Sequence, residues 1–187
     1  MRRSSEMTKP PSKSRPTWKD VKAKLAGFDH AGLLSLVGDL YTAHKDNQTF
    51  LHARLGLIED VLKSYKETID RWLWPDVRKN QNTSVAKAKQ AISEYNKAVG
   101  DPAGLAELMV FYCERAAGFC KEFGSDDDDY LAALVRMFEQ AAGVVTTLPD
   151  DSQEALIARL DQVRLASESL GYGVADEMDC ILADYSA

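Results

Sequence analysis

The stretch Asp29–Pro75 decides the fold, and its sequence is DHAGLLSLVGDLYTAHKDNQTFLHARLGLIEDVLKSYKETIDRWLWP. In its second part the large apolar residues alternate spacings of four and three, which is typical of one face of an α-helix. This pattern predicts either one long helix or two helices in near register, and Gly56 favours a break near residues 56–58. The residues that carry the pattern are Leu51, Leu55, Ile58, Leu62, Tyr65, Ile69 and Trp72.

Capping residues mark further helices on both sides of this stretch. Towards the N-terminus, Thr17 with Asp20 forms a capping-box pattern, and Asp29 can cap the helix that follows it. Towards the C-terminus, Asp101 followed by Pro102 is a strong start signal. Further predicted starts are Thr83 or Ser84, Ser125, Pro149 and Val174, and the predicted stops are Gly27, Pro75, Gly100, Gly124 and Gly171. No segment alternates with a period of two, so we expect an all-α protein of about eight to nine helices.

The lengths of the predicted hairpins indicate the architecture. Residues 84–124 and 126–170 each form a helix hairpin of about 40 to 45 residues, a length that suits HEAT-like or tetratricopeptide-like units. No repeat consensus is present, so a short α-solenoid and an irregular bundle of antiparallel hairpins both remain open. Residues 1–16 are rich in serine, proline and basic residues and predict a disordered basic tail. Residues 17–187 are expected to form a single helical domain.

The net charge of −6 is unevenly distributed. Residues 1–16 carry +4, residues 17–100 carry +3, and residues 101–187 carry −13. Such an imbalance can indicate head-to-tail association or a basic face for an anionic partner, although acidic solvated helix faces explain it more simply. Homo-oligomerisation is therefore one of the interpretations that stay open.

The lengths of the apolar runs and the number of cysteines indicate where in the cell the protein is expected. No run reaches the roughly 18 apolar residues that a spanning helix needs, and the N-terminus lacks the apolar stretch of a signal peptide. We therefore expect no membrane association and a cytoplasmic location. The chain has an odd number of cysteines, and their spacing is not that of a disulfide framework. We therefore interpret all three, Cys113, Cys120 and Cys180, as small buried hydrophobic residues.

Two groups of residues suggest metal ligands and fail on spacing. His30, His44 and His52 contain no pair four residues apart, the usual spacing of two ligands on one helix. The run Asp126–Asp129 lacks the alternation, glycine turn and distal glutamate of a calcium loop, and adjacent aspartates suit a helix start. The chain also contains no nucleophile elbow, Walker loop, dinucleotide-binding glycine pattern or kinase motif. We predict no metal, no cofactor and no enzymatic activity.

Tryptophans and basic residues near residue 75 form the candidate partner site. Trp72 and Trp74 lie two positions apart, about 200° around a helix, so they cannot face the same core. An exposed tryptophan among basic residues would suit a partner groove or a stacked base, although packing is the simpler interpretation. The candidate partner-binding residues are Arg71, Trp72, Trp74, Arg78, Lys79 and Lys87.

The segment from Val21 to Leu55 resembles the opening of a family of small bacterial all-helical proteins that carries a domain-of-unknown-function label. The likeness continues through Ile69 to Trp72 and covers about residues 18–100. The matching residues are Lys24, Leu25, Leu33, Leu34, Leu36, Asp39, Leu40, Tyr41, Tyr65 and Lys66. The resemblance implies a bacterial cytosolic helical protein and transfers no catalytic residue.

These observations favour a non-enzymatic protein-interaction or scaffold module that uses a groove between helix hairpins. The first alternative is a nucleic-acid-associated accessory protein that uses the basic tail and the basic residues between Arg71 and Lys97. The second, which is less favoured, is a metal-dependent or hydrolytic helical enzyme that uses His44 or His52.

Overall fold

The computed structural model describes residues 15–57, 60–124, 127–171 and 173–185. Over these ranges the chain is all-α, with nine α-helices, two short 3-10 helices and no strand, which confirms the predicted fold class. The α-helices are α1 Trp18–Leu25, α2 His30–Ala43, α3 Lys45–Arg54, α4 Val61–Leu73, α5 Val85–Ala98, α6 Pro102–Phe123, α7 Asp128–Val145, α8 Asp150–Ser167 and α9 Val174–Tyr185. The 3-10 helices are Val77–Lys79 and Glu168–Leu170.

Helix starts follow the capping chemistry of the sequence. The carboxylate of Asp20 accepts hydrogen bonds from the backbone N–H and the hydroxyl of Thr17, at 2.7 and 2.8 Å. Asp29 accepts the backbone N–H of Gly32 at 2.7 Å. Asp101 accepts the backbone N–H of Gly104 at 2.8 Å. Asp101 directly precedes Pro102, where the helix starts as predicted. Each cap satisfies a backbone donor that the first helical turn leaves free.

The apolar pattern that starts at Leu51 in the sequence is divided between two helices. α3 ends at Arg54, and Gly56 follows with a φ of +65°, a conformation that favours glycine. Asp60 then caps α4 by accepting the backbone N–H of Lys63 at 3.0 Å. Ile58, which belongs to the same apolar pattern, lies outside the described residues.

The chain divides into two compact units, Met1–Gln48 (unit 1) and Thr49–Ala187 (unit 2), with the boundary inside α3. The boundary depends on contacts between helices, which local periodicity does not record. The single helical domain expected over residues 17–187 stays a prediction. The predicted disordered tail lies almost entirely outside the described residues.

Unit 2 is built around α6, which packs against α4 and α5 before it and α7 and α8 after it. Further packing joins α4 to α5 and α9 to both α7 and α8. The helices of unit 2 therefore share one core, and α6 contacts most of the others. The largest fully buried side chains are Tyr112, Phe138, Ile69, Leu73, Leu108, Leu134, Leu160 and Met178.

The cysteines differ in burial. Cys113 and Cys120 are buried, as expected, whereas Cys180 is exposed, so the prediction is wrong for this residue. On α9 the buried positions are Val174 and Met178, four residues apart on one side of the helix. Cys180 follows Met178 by two residues and therefore points to the opposite side.

Candidate functional site

Seven large apolar side chains of unit 1 are exposed. None of the described residues of unit 1 is buried. We call these seven the N-terminal apolar side chains, and they are Trp18 at 69% exposed, Val21 at 45%, Phe28 at 48%, Leu33 at 39%, Leu34 at 60%, Val37 at 43% and Leu40 at 51%. Helix formation alone therefore leaves these side chains largely in water, which is unfavourable for so much apolar surface.

In α1 the apolar side chains share one side of the helix with basic flanks. Trp18 and Val21 are three residues apart and fall on one face. Lys22 borders this face, and Lys19 and Lys24 lie further around the helix. Hydrogen bonds from the Thr17 backbone and side chain lower the pKa of Asp20 and hold its carboxylate at the helix start.

α2 has a broad apolar face and almost no charge. Leu33, Leu34, Val37 and Leu40 follow the three-and-four spacing of one helix face, which we call the α2 face. Asp39 is the only Asp, Glu, Lys or Arg between His30 and Ala43, and it projects from the opposite side of the helix. The α2 face is therefore free of such charges.

Three of the six predicted partner-binding residues meet around one tryptophan of unit 2. The Nζ of Lys87 lies 3.8 Å from the ring centre of Trp72, and the guanidinium carbon of Arg71 lies 4.6 Å from it. Trp72 is itself half-buried and packs against the core. Two cations of its own chain therefore lie against this ring, which packs on the core as the simpler interpretation of the sequence expected.

Trp74 is held in a separate aromatic group at the end of α4. Its ring lies 6.4 Å from each of Phe119 and Phe123, centre to centre, and Arg115 lies 4.1 Å from its centre. A Cβ atom at Gly118 would come within 2.5 Å of the indole, so this glycine makes room for the ring. Trp74 thus packs on α6, on the other side of α4 from Trp72.

Arg78 and Lys79 lie in the 3-10 helix after α4 and are exposed. The ammonium of Lys79 is 3.2 Å from the carboxylate of Asp76. Arg78 lines a shallow depression of about 410 Å³ together with Trp74 and Phe123. The structure therefore brings Arg71, Trp72 and Lys87 together. It places Trp74 and Arg78 around a separate depression and leaves Lys79 paired with Asp76.

A larger cleft of about 690 Å³ lies between α4 and α6. Its charged groups largely pair with each other: Lys66 with Glu107 at 2.6 Å, and Asp70 with Arg115 at 2.5 Å. The second contact lacks the alignment of a hydrogen bond. The lining residues are Asp60, Leu62, Lys63, Lys66, Glu67, Asp70, Glu107, Phe111 and Arg115.

Glu107 also connects this cleft to α8. Arg159 donates to Glu107 at 2.5 Å and to both carboxylate oxygens of Glu114 at 2.7 and 2.9 Å. Burial would raise the pKa of Glu107, but hydrogen bonds from Arg159 and Lys66 outweigh it and hold the pKa below its usual value. The sequence does not predict this network, because the paired residues are 41 to 52 positions apart in the chain.

Three groups in the core of unit 2 have a raised pKa, and burial is the largest cause for each. Burial raises the pKa of the Cys113 thiol and of the Tyr112 and Tyr130 phenols, which keeps all three protonated. The Tyr130 hydroxyl donates to the backbone carbonyl of Leu73 at 3.0 Å. Within the described ranges no group of three His, Cys, Asp or Glu side chains is arranged to hold a metal ion.

Comparisons with known proteins give no relative from which a role could be transferred. No protein-family model, no curated protein and no solved structure matches the chain. The resemblance to a bacterial helical family therefore stays a prediction. Across the described part of the chain, none of the helices is both long and apolar enough to cross a membrane.

Proposed function

We propose that this protein is a non-enzymatic protein-interaction module whose binding element is the helix pair α1–α2. The observation that carries the proposal is the exposure of the N-terminal apolar side chains, with no buried residue among the described residues of unit 1. The partner is a polypeptide with an apolar helical surface, because two helices with apolar faces are most readily covered by other helices.

The geometry of unit 2 supports a scaffold role beside this element. Its apolar side chains are largely used in its own core, and four charged side chains of the cleft between α4 and α6 pair with each other. Among the candidate residues, Arg71 and Lys87 likewise lie against the ring of Trp72 in the same chain. No contact of the described residues supports the nucleic-acid alternative. Trp72 and Trp74 each have a cation over the ring, where a base would stack.

Site-specific photo-crosslinking in cells tests the proposal. A photoreactive amino acid at Leu34 or Val37, on the α2 face, is expected to give discrete protein adducts. The matched control positions are Ser35 and Thr42, which are exposed on the opposite side of α2. Adducts at the face positions and not at the control positions support a helix–helix interface. Equal labelling at all four positions, or none at any, overturns the proposal.

A further inference from the structure

We infer that the partner of the α2 face is a second copy of this chain, which packs its own α2 against it in an antiparallel pair. This inference rests on the proposed function and names the polypeptide that covers the binding element. Three properties of unit 1 lead to it: the symmetry of the apolar stripe, the distribution of charge, and the amount of exposed apolar area.

The apolar stripe of α2 is symmetric about Val37. Leu34 precedes Val37 by three residues, and Leu40 follows it by three. In an antiparallel pair related by a two-fold axis, Val37 of one copy lies against Val37 of the other, and each Leu34 lies against a Leu40. The same surface thus completes itself, as an isologous interface requires.

Charge favours self-pairing over an anionic membrane surface. Asp39, the only Asp, Glu, Lys or Arg of α2, lies behind the α2 face, so two copies bring no like charges together there. Helices that lie on anionic lipid present lysines and arginines on their polar side, and α2 has none. Antiparallel packing also sets the positive end of each helix dipole beside the negative end of the other.

The exposed area of the α2 face reaches the lower limit of a specific interface. At roughly 150 Å² for each large apolar side chain, its four side chains expose on the order of 300 Å² per copy. Two copies together would bury on the order of 600 Å² of apolar surface, which is the apolar share of an interface of about 1,000 Å².

Sedimentation velocity and light scattering on the purified full-length chain test the dimer. The expected mass is twice 20.7 kDa. Val37→Asp puts two carboxylates on the symmetry axis and is expected to weaken the dimer at least about tenfold. Ser35→Asp adds the same charge behind the face and is expected to leave the mass unchanged. Circular dichroism on both variants confirms that the helices of unit 2 remain folded.

Oxidative crosslinking tests the antiparallel register. In a Cys180→Ser background, Val37→Cys is expected to form a disulfide between copies on mild oxidation, because residues at a two-fold axis meet themselves. Ser35→Cys in the same background is expected to remain reduced. A dimer that persists in Val37→Asp, or crosslinks equally well through residue 35, contradicts the antiparallel arrangement.

The outcomes separate the two proposals. A purified chain that stays monomeric overturns the dimer, and face-specific adducts with a different protein in cells would still support the interaction module. A monomer that binds phosphatidylserine vesicles through Val37, and gives no protein adducts, overturns both. Face-specific adducts between two copies, together with a dimer that Val37→Asp dissociates, support both.

Discussion

The helices α2 and α7 have comparable apolar sequences and opposite surroundings. α7 runs from Asp128 to Val145 and has nine buried residues, whereas α2, from His30 to Ala43, has none. Leu134 on α7 is fully buried, and Leu34 on α2 is 60% exposed. The difference shows that an apolar face identifies a helix that needs a partner surface, while the partner can lie within the same chain or outside it.

The largest expected effect comes from truncating the same residue type in the two helices. Leu134→Ala removes a fully buried side chain and is expected to lower the free energy of unfolding of unit 2 by about 2–5 kcal/mol. Leu34→Ala is expected to change it by less than about 0.5 kcal/mol, because the side chain lies outside that core. Urea unfolding followed by circular dichroism measures both. Similar losses for the two variants would remove the contrast between α2 and α7.

The second-largest effect on stability is expected from alanine substitutions at two helical glycines. Gly118→Ala on α6 would place a Cβ atom 2.5 Å from the indole of Trp74, and we expect a loss of about 1–3 kcal/mol because that ring is held by its neighbours. Gly38→Ala on α2 meets nothing within 4 Å and is expected to leave unit 2 unchanged while favouring the α2 helix by up to about 1 kcal/mol. Thermal unfolding of the two variants checks the signs.

The ion pairs of Glu107 should make the stability of unit 2 depend on pH. The pKa of Glu107 lies below its usual value of 4.5, so its stabilisation is complete above pH 4.5 and is lost as the pH falls through the folded-state value. Glu107→Gln is therefore expected to cost about 1–2 kcal/mol at pH 7 and progressively less in acid. Glu67→Gln, on the exposed side of α4, serves as the control. A loss that is constant between pH 7 and pH 3 would contradict the ion-pair explanation.

The smallest effect is expected at Trp72. Lys87→Gln removes the cation nearest to its ring and is expected to cost about 0.5 kcal/mol, the range of an exposed cation–π contact. Lys97→Gln on the same helix is the control, since this exposed lysine has no aromatic partner among the described residues. The quantity to measure is the midpoint of urea unfolding. A larger loss of partner binding than of stability in Lys87→Gln would instead mark Trp72 as a contact surface.

The sequence predicted what depends on neighbouring residues. Helix starts at Thr17, Asp29 and Asp101 were predictable because each cap joins groups three residues apart. The break near Gly56 was predictable for the same reason, since a left-handed turn is a local requirement. The all-α class followed from the sum of such local signals.

Long-range contacts account for the rest. Lys66, Glu107 and Arg159 are far apart in the chain, and their charges are indistinguishable in sequence from those of solvated helix faces. The stacking of Arg71 and Lys87 on Trp72 depends on how α5 packs beside α4. The division of the chain within α3 depends on contacts that no helical periodicity records.

Cys180 has a practical consequence for studies of assembly. Its thiol is exposed, while Cys113 and Cys120 are enclosed in the core and Cys113 stays protonated. A thiol-reactive spin label is therefore expected to attach at one position per native chain, without any engineered residue. In a dimer this gives one pair of labels, and the distance between them, measured by pulsed electron paramagnetic resonance, reports the separation of the two C-terminal helices. The native Cys180 thus allows a distance between two copies to be measured without any substitution.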